Sequence, residues 1–263
     1  MTYISRSLRA AASLVLSAGF RVDAASVTAS GDEWLLSNDA FSANSISATA
    51  LAGNLITFIG GQNYLMLTDA PALFAYGTSF QSFLTGSGKT FTVNPAAPFS
   101  ASLLQPYDAV FLAGTPGSGA ANASLLSQYV QNGGTVYLSL GTGTIASTEA
   151  GAWNPLLNAW NLNAGSTYFT VQSTTNISTV PGSHALRNNV DFIRWGFGQE
   201  VTRLNSSDPR TEIALTALFG DSTGNRGAIG VTVVPEPSSS VFIICGVAVV
   251  MRRRSRRTIE RNA

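Results

Sequence analysis

The segment from Tyr107 to Leu140 constrains the fold more than any other part of the chain. Tyr107–Ala113 (YDAVFLA) is an unbroken apolar run of strand length, closed by the turn Gly114-Thr115-Pro116-Gly117. Asn122 is placed to cap a helix whose apolar face is Leu125, Leu126, Tyr129 and Val130, and Gly133-Gly134 ends it. Thr135–Leu140 is a second buried strand, stopped by Gly141-Thr142-Gly143. Strand, helix and strand joined by short turns predict a parallel pair with a helical crossover.

The surrounding sequence extends this order. Leu55–Ile59 and Tyr64–Thr68 are short apolar runs around Gly60-Gly61, Ala72–Leu84 reads as a helix closed by Gly86, and Thr90–Val93 as a short strand. Trp153, Leu156, Leu157 and Trp160 repeat at helical spacing, with Asn154 expected as cap and Pro155 in the first turn or at a kink. After residue 166 the signals are strand-like, over 168–172, 192–195, 199–204, 211–219 and 226–233. The segments 199–219 and 226–233, split by Asp221-Ser222-Thr223-Gly224-Asn225, read as a hairpin. The expected fold is α/β: a mainly parallel open sheet with helices on both faces and extra antiparallel strands toward the C-terminus. A short C-terminal hydrophobic helix follows.

Charge is scarce and segregated. Charged residues are 11% of the chain, against about 25% in ordinary globular proteins. Six arginines crowd 252–261, whereas 25–234 carries six Lys/Arg against eleven Asp/Glu, a net of −5. A mildly acidic domain disfavours nucleic acid as a partner. The single cysteine, Cys245, lies in the C-terminal apolar run, so the central domain has neither disulfide, thiolate metal site nor cysteine nucleophile. No cofactor or metal is expected.

Both ends read as targeting segments. Arg6 and Arg9 precede an apolar stretch from Ala10 to Phe20, and Val22-Asp23-Ala24 fits a small-x-small cleavage site. At the other end come Pro235-Glu236-Pro237, an apolar span, and Arg252-Arg253-Arg254-Ser255-Arg256-Arg257. Pro235 and Pro237 keep regular structure from running through the junction. Arginines after an apolar span stay cytoplasmic, which leaves the preceding domain on the far side of the membrane. The uninterrupted run 241–251 is 11 residues, shorter than the roughly 20 of a full span, so the expected anchor is weak and temporary.

This composite resembles the PEP-CTERM sorting signal of Gram-negative bacteria. The resemblance implies passage through a secretion translocon, transient anchoring in the inner membrane and processing near Pro-Glu-Pro by an exosortase-type membrane protease. The destination is then the cell surface or the extracellular space. The chain divides into a signal peptide (1–24), an exported α/β domain (25–233) and a sorting signal (234–263). The last comprises the motif 235–237, the hydrophobic span 238–251 and the arginine-rich tail 252–263. The run from Tyr107 to Gly114, then Leu126 to Leu138 with its Tyr-Val-x-x-Gly-Gly helix end, resembles the core of the class I glutamine amidotransferase-like fold. That likeness also takes in Gly141-Thr142-Gly143 and Glu149–Asn154, spans about residues 30–200, and implies a fold more than an activity.

The family's cysteine nucleophile is missing. Ser118 and Ser139 stand near the turns and His184 is the only histidine, but neither serine lies in a Gly-x-Ser-x-Gly, Pro116 standing where Ser118 would need the first glycine. Gly86-Ser87-Gly88-Lys89-Thr90 lacks the first glycine of a phosphate loop, Phe83 standing in its place, and reads as a turn. His184 reads as a hydrogen-bonded structural residue, Asp108 as structural at a strand start, and 221–225 as a hairpin turn rather than a calcium loop. Glycine turns after adjacent parallel strands lie where open sheets bind ligands. Gly114, Thr115, Gly141, Thr142, Gly143 and His184 are therefore the candidate pocket residues, with Trp153 nearby and an envelope polysaccharide as a candidate partner. The expectation is a non-catalytic binding or structural module. The alternative is a hydrolase or transferase acting on extracellular glycans through carboxylates such as Glu149, Asp69 or Asp108.

Overall fold

A computed structural model describes residues 24–68, 76–93, 100–113, 122–142, 145–219 and 224–234, without the side chains of 68 and 170–173. Apart from Ala24 and Val234, the two end segments expected to act in targeting, 1–24 and 234–263, lie outside the described residues, as do Gly114–Gly117, Ser118, Gly143, Asp69 and 221–223. Among the described residues no helix is long and apolar enough to cross a membrane.

Seven strands form the main sheet in the order β3-β2-β4-β5-β1-β9-β8. They are β1 (Ser26–Ser30), β2 (Asn63–Thr68), β3 (Thr90–Val93), β4 (Ala109–Ala113), β5 (Thr135–Ser139), β8 (Thr211–Leu218) and β9 (Asn225–Val233). The first five are mutually parallel, and β9 and β8 continue the sheet antiparallel. Strands β3-β2-β4-β5 occupy the first four places of a 2-1-3-4-5 doubly wound sheet. The fifth place is filled by the strand that begins the domain.

Strand β1 has no large side chain. Its sequence SVTAS is buried at every position, and small residues fit between two neighbouring strands and two covering layers. Helices α1 (Asn38–Ala43), α2 (Ser45–Ile59) and α3 (Thr78–Gly86) follow β1 and β2; α4 (Ala101–Leu104), α5 (Ala123–Gln131) and α6 (Ala146–Ala159) follow β3, β4 and β5. On one face Leu51 and Leu55 of α2 and Phe80 of α3 pack on Tyr64, Phe111 and Tyr137. On the other, Leu126 and Val130 of α5 and Trp153, Leu156 and Leu157 of α6 cover Leu65, Val110, Val136 and Leu138. Alternate strand residues therefore face opposite cores, so both faces of the sheet are covered, as the fold expectation requires.

Several local expectations change. Leu55–Ile59 is the last turn and a half of α2, because Ala48, Leu51, Ala52, Leu55, Ile56 and Ile59 form one buried helical stripe. Helix α6 starts at Ala146, eight residues before the expected cap, and holds Pro155 inside it. Asn154 is no cap: its side chain exchanges two hydrogen bonds with the backbone of Ala164, at 2.8 and 3.1 Å. Asn122 flanks α5 with helical dihedrals and makes no side-chain capping bond.

The expected hairpin after residue 199 is split between two sheets. Strands β6 (Leu162–Ser178) and β7 (Phe192–Arg203) pair antiparallel as a separate two-stranded sheet, and only β8 and β9 form the hairpin in the main one. The β6–β7 ribbon crosses β9 where glycines leave room. A Cβ on Gly230 would lie 2.7 Å from Val201 Cγ1, and one on Gly227 would lie 2.1 Å from the Val201 carbonyl oxygen.

Candidate functional site

Parallel strands β1 and β5 end side by side, Ser30 opposite Ser139. The chain leaves them as Gly31-Asp32 and Gly141-Thr142, at the sheet edge where open α/β folds bind ligands. Strand β7 closes over this edge. Gln199 N–H donates to the Gly31 carbonyl at 2.7 Å, and Gly31 N–H to Ala228 at 2.8 Å. Gly141 has φ +77, and a Cβ there would come within 3.0–3.1 Å of Asp32 Cα, Gly31 O and Gly198 Cα. Three backbone segments meet at this glycine.

Two buried carboxylates hold the junction. Asp32, fully buried, accepts from Trp34 N–H at 2.9 Å with one oxygen and from Gly196 N–H at 2.6 Å with the other. It caps the 3₁₀ turn Glu33–Leu36 and joins that turn to β7. Glu149 on α6 accepts from Gly141 N–H at 2.9 Å, Thr142 N–H at 3.3 Å, the Thr142 hydroxyl at 2.9 Å and the Tyr168 hydroxyl at 3.1 Å. Burial raises the pKa of both carboxyls, against the lowering effect of these donors, and Asp32 is raised further by the nearby charges of Glu33 and Glu149. On the opposite core face Tyr76 donates to Leu112 O at 2.8 Å and its oxygen meets the Ser139 hydroxyl at 3.0 Å. Burial pushes the neighbouring Tyr137 hydroxyl up to about 12.

The sequence candidates separate on this frame. Gly141 and Thr142 lie at the edge, both buried, with the threonine hydroxyl held by Glu149. Gly114, Thr115 and Gly143 are outside the described residues, although Ala113 pairs with Ser139 and so β4 ends beside β5. Trp153, expected near a pocket, is fully buried among aliphatic side chains and has no ring face for a ligand.

His184 is built into a different place. Its Nδ1 accepts from Leu186 N–H at 3.1 Å, its Nε2 meets Glu212 at 3.1 Å, and its ring stands edge-on to Phe58 at 5.4 Å. Because Nδ1 accepts a backbone N–H, the ring hydrogen lies on Nε2 and is donated to the carboxylate; burial lowers the pKa of His184, partly opposed by Glu212. Ser139 therefore has Tyr76 rather than a histidine as its partner.

Other candidates prove structural. Asp108 accepts from Gln62 and Asn63 N–H at 2.6 and 2.9 Å, tying β4 to the start of β2. Gly86–Thr90 is the turn from α3 to β3, and Lys89 is committed to the Gly61 carbonyl and the Tyr64 ring. The residues that sequence reasoning missed are Asp32, Trp34, Gln199 and Tyr168. The available signal was Gly31-Asp32 directly after a Ser/Thr/Ala run, a strand-to-turn pattern without the large apolar residues that mark strands.

No protein-family profile matches the chain, and no curated protein matches it. Among solved structures, the mmIFT52 N-terminal domain is 12% identical, with 59% of this chain and 72% of that one covered at a TM-score of 0.39. A putative peptidase E from Listeria monocytogenes EGD-e is also 12% identical, covering 47% and 62% at a TM-score of 0.30. A beta-galactosidase from Bifidobacterium adolescentis is 14% identical, covering 71% and 98% at a TM-score of 0.28.

Proposed function

We propose that this chain is an exported protein of the cell envelope or extracellular matrix, sorted and processed through its C-terminal Pro-Glu-Pro tag. Its α/β domain acts there as a non-catalytic binding or structural module. The composite of Pro235-Glu236-Pro237, the apolar span and Arg252-Arg253-Arg254 carries the sorting half of the reading. The carboxylates carry the other half. A catalytic acid or base needs a free position toward substrate. The oxygens of Asp32 and Glu149 instead accept hydrogen bonds from the backbone and side chains that assemble the sheet edge.

Intact-mass measurement of the extracellular protein, expressed in a host that processes such tags, tests the sorting. The expected mass corresponds to cleavage near Ala25 and near Pro235. A product that keeps Arg252–Arg257 in the inner membrane would turn the tag into a permanent anchor and defeat the reading.

A further inference from the structure

We propose that the cleft between α1 and β7, beyond the carboxyl end of β1, binds a neutral saccharide. Its parts are Trp34 as a stacking ring, the Arg194–Asp39 pair as adjacent donor and acceptor, and Ser42 and Thr174 as its polar rim, while Asn38 borders it with its amide oxygen committed to Ser79 N–H at 2.8 Å. The proposal rests on the reading of the domain as an envelope binding module and names the ligand class for it.

The cleft has a volume of about 580 Å³, within the range of small-molecule sites. It lies past the carboxyl end of a parallel strand, where open α/β sheets present their ligands. Trp34 is only partly exposed, and two linked contacts fix its place. Its N–H is fixed by buried Asp32, and a Cβ at Gly196 would lie 2.8 Å from its indole Nε1. The same Asp32 carboxylate holds Gly196 N–H, so one buried acid sets the turn that carries Trp34 and the strand that carries Arg194. Such support from a locked second layer keeps a binding site in shape without a ligand.

The polar groups fit vicinal hydroxyls. Arg194 is largely buried, Asp39 is more open, and Arg194 also reaches the Asn176 amide oxygen at 3.5 Å. A carboxylate that accepts and a guanidinium that donates, side by side, match two adjacent hydroxyls, each of which can do either. The indole supplies a flat apolar face for the C–H side of a pyranose ring. The paired charges cancel, and the domain's net −5 opposes an anionic chain, so the ligand is a neutral sugar. The groove between α4 and α5 is a weaker candidate: Asp108 is spent on Gln62 and Asn63, and the Tyr129 hydroxyl on Tyr107.

Calorimetric titration of the full chain with maltohexaose, cellohexaose and chitohexaose, and with hexagalacturonate as the anionic comparison, tests this. At least one neutral oligomer is expected to bind, and Trp34→Ala to weaken it about tenfold or more. Ser42→Trp, which fills the cleft and leaves Trp34 and the ion pair in place, is expected to abolish binding; it serves as the second variant if Trp34→Ala fails to fold. Silence from all three neutral oligomers, a preference for hexagalacturonate, or full binding by the folded variants would overturn the assignment. A correctly processed protein that binds none of them removes the saccharide site alone. A saccharide-binding protein that is never processed removes the sorting reading alone.

Discussion

The carboxylate of Glu149, on helix α6, receives the backbone N–H of Gly141, in the turn that ends β5, at 2.9 Å. This contact closes a short loop, and Tyr168 adds a third element to it from β6. The acid therefore acts as a clamp between helix, sheet edge and the separate ribbon. Losing it strands buried donors, and each costs free energy.

Glu149→Ala is expected to lower unfolding free energy by about 3 kcal/mol, from the loss of charge-assisted bonds and the donors left unpaired. Glu149→Gln keeps an acceptor oxygen and should lose less. Urea denaturation of both variants against the parent is the check; a loss within about 0.5 kcal/mol for the alanine variant, the range of ordinary surface substitutions, would show that Glu149 does not clamp the edge.

The raised carboxyls give stability a defined pH dependence. Asp32 and Glu149 titrate higher in the folded chain than in the unfolded one, mainly through burial. Between the unfolded carboxylate range and their folded values the native state holds more protons, so stability falls as pH rises through that window. Their contribution is fully present below the unfolded values. Thermal melts from neutral pH downward should show the parent gaining on the Asp32→Asn, Glu149→Gln double variant. A constant difference between the two across the whole range would contradict the assigned shifts.

Gly141 and Gly88 separate backbone strain from crowding. Their φ angles are +77 and +74, but a Cβ at Gly88 meets nothing within 4 Å, whereas one at Gly141 strikes three backbone atoms. Gly88→Ala should cost about 1 kcal/mol, the left-handed penalty alone. Gly141→Ala should cost clearly more and broaden the unfolding transition. Equal costs in denaturant titrations would mean that the junction has slack.

His184 is the only histidine, so its titration can be followed by NMR in a tag-free protein without assignment. Its pKa is expected below the ordinary 6.5, and lower still in Glu212→Gln, because the carboxylate opposes the dominant effect of burial. The sign is opposite to that of the buried acids. Stability from His184 is present above its unfolded pKa and is lost as pH falls through the depressed folded value. A parent pKa above 6.5 would mean that Glu212, not burial, governs the ring.

Local signals made much of the frame legible. The apolar runs at β4 and β5, the Gly133-Gly134 helix stop and the Gly86–Thr90 turn are written in short stretches, each acting through its own backbone preferences. His184 was legible as a structural residue for the same reason, since it bonds to the backbone two residues on, whereas Asp108 shows its place at a strand start but not its partners, Gln62 and Asn63, 46 and 45 positions away. Strand β1 escaped notice because SVTAS owes its burial to two neighbouring strands and not to large apolar side chains.

The sequence by itself determined the alternation of strands and helices, hence a parallel sheet covered on both faces, and it excluded thiol chemistry in the domain. Only the tertiary structure decided that the first strand lies between β5 and β9, pairing Ser26 with Val233. It also decided that β6 and β7 leave the main sheet, and that Asp32 binds Gly196 across 164 positions. These outcomes depend on which distant segments meet. A buried carboxylate takes whichever N–H groups the fold delivers to it, and no local pattern encodes that delivery.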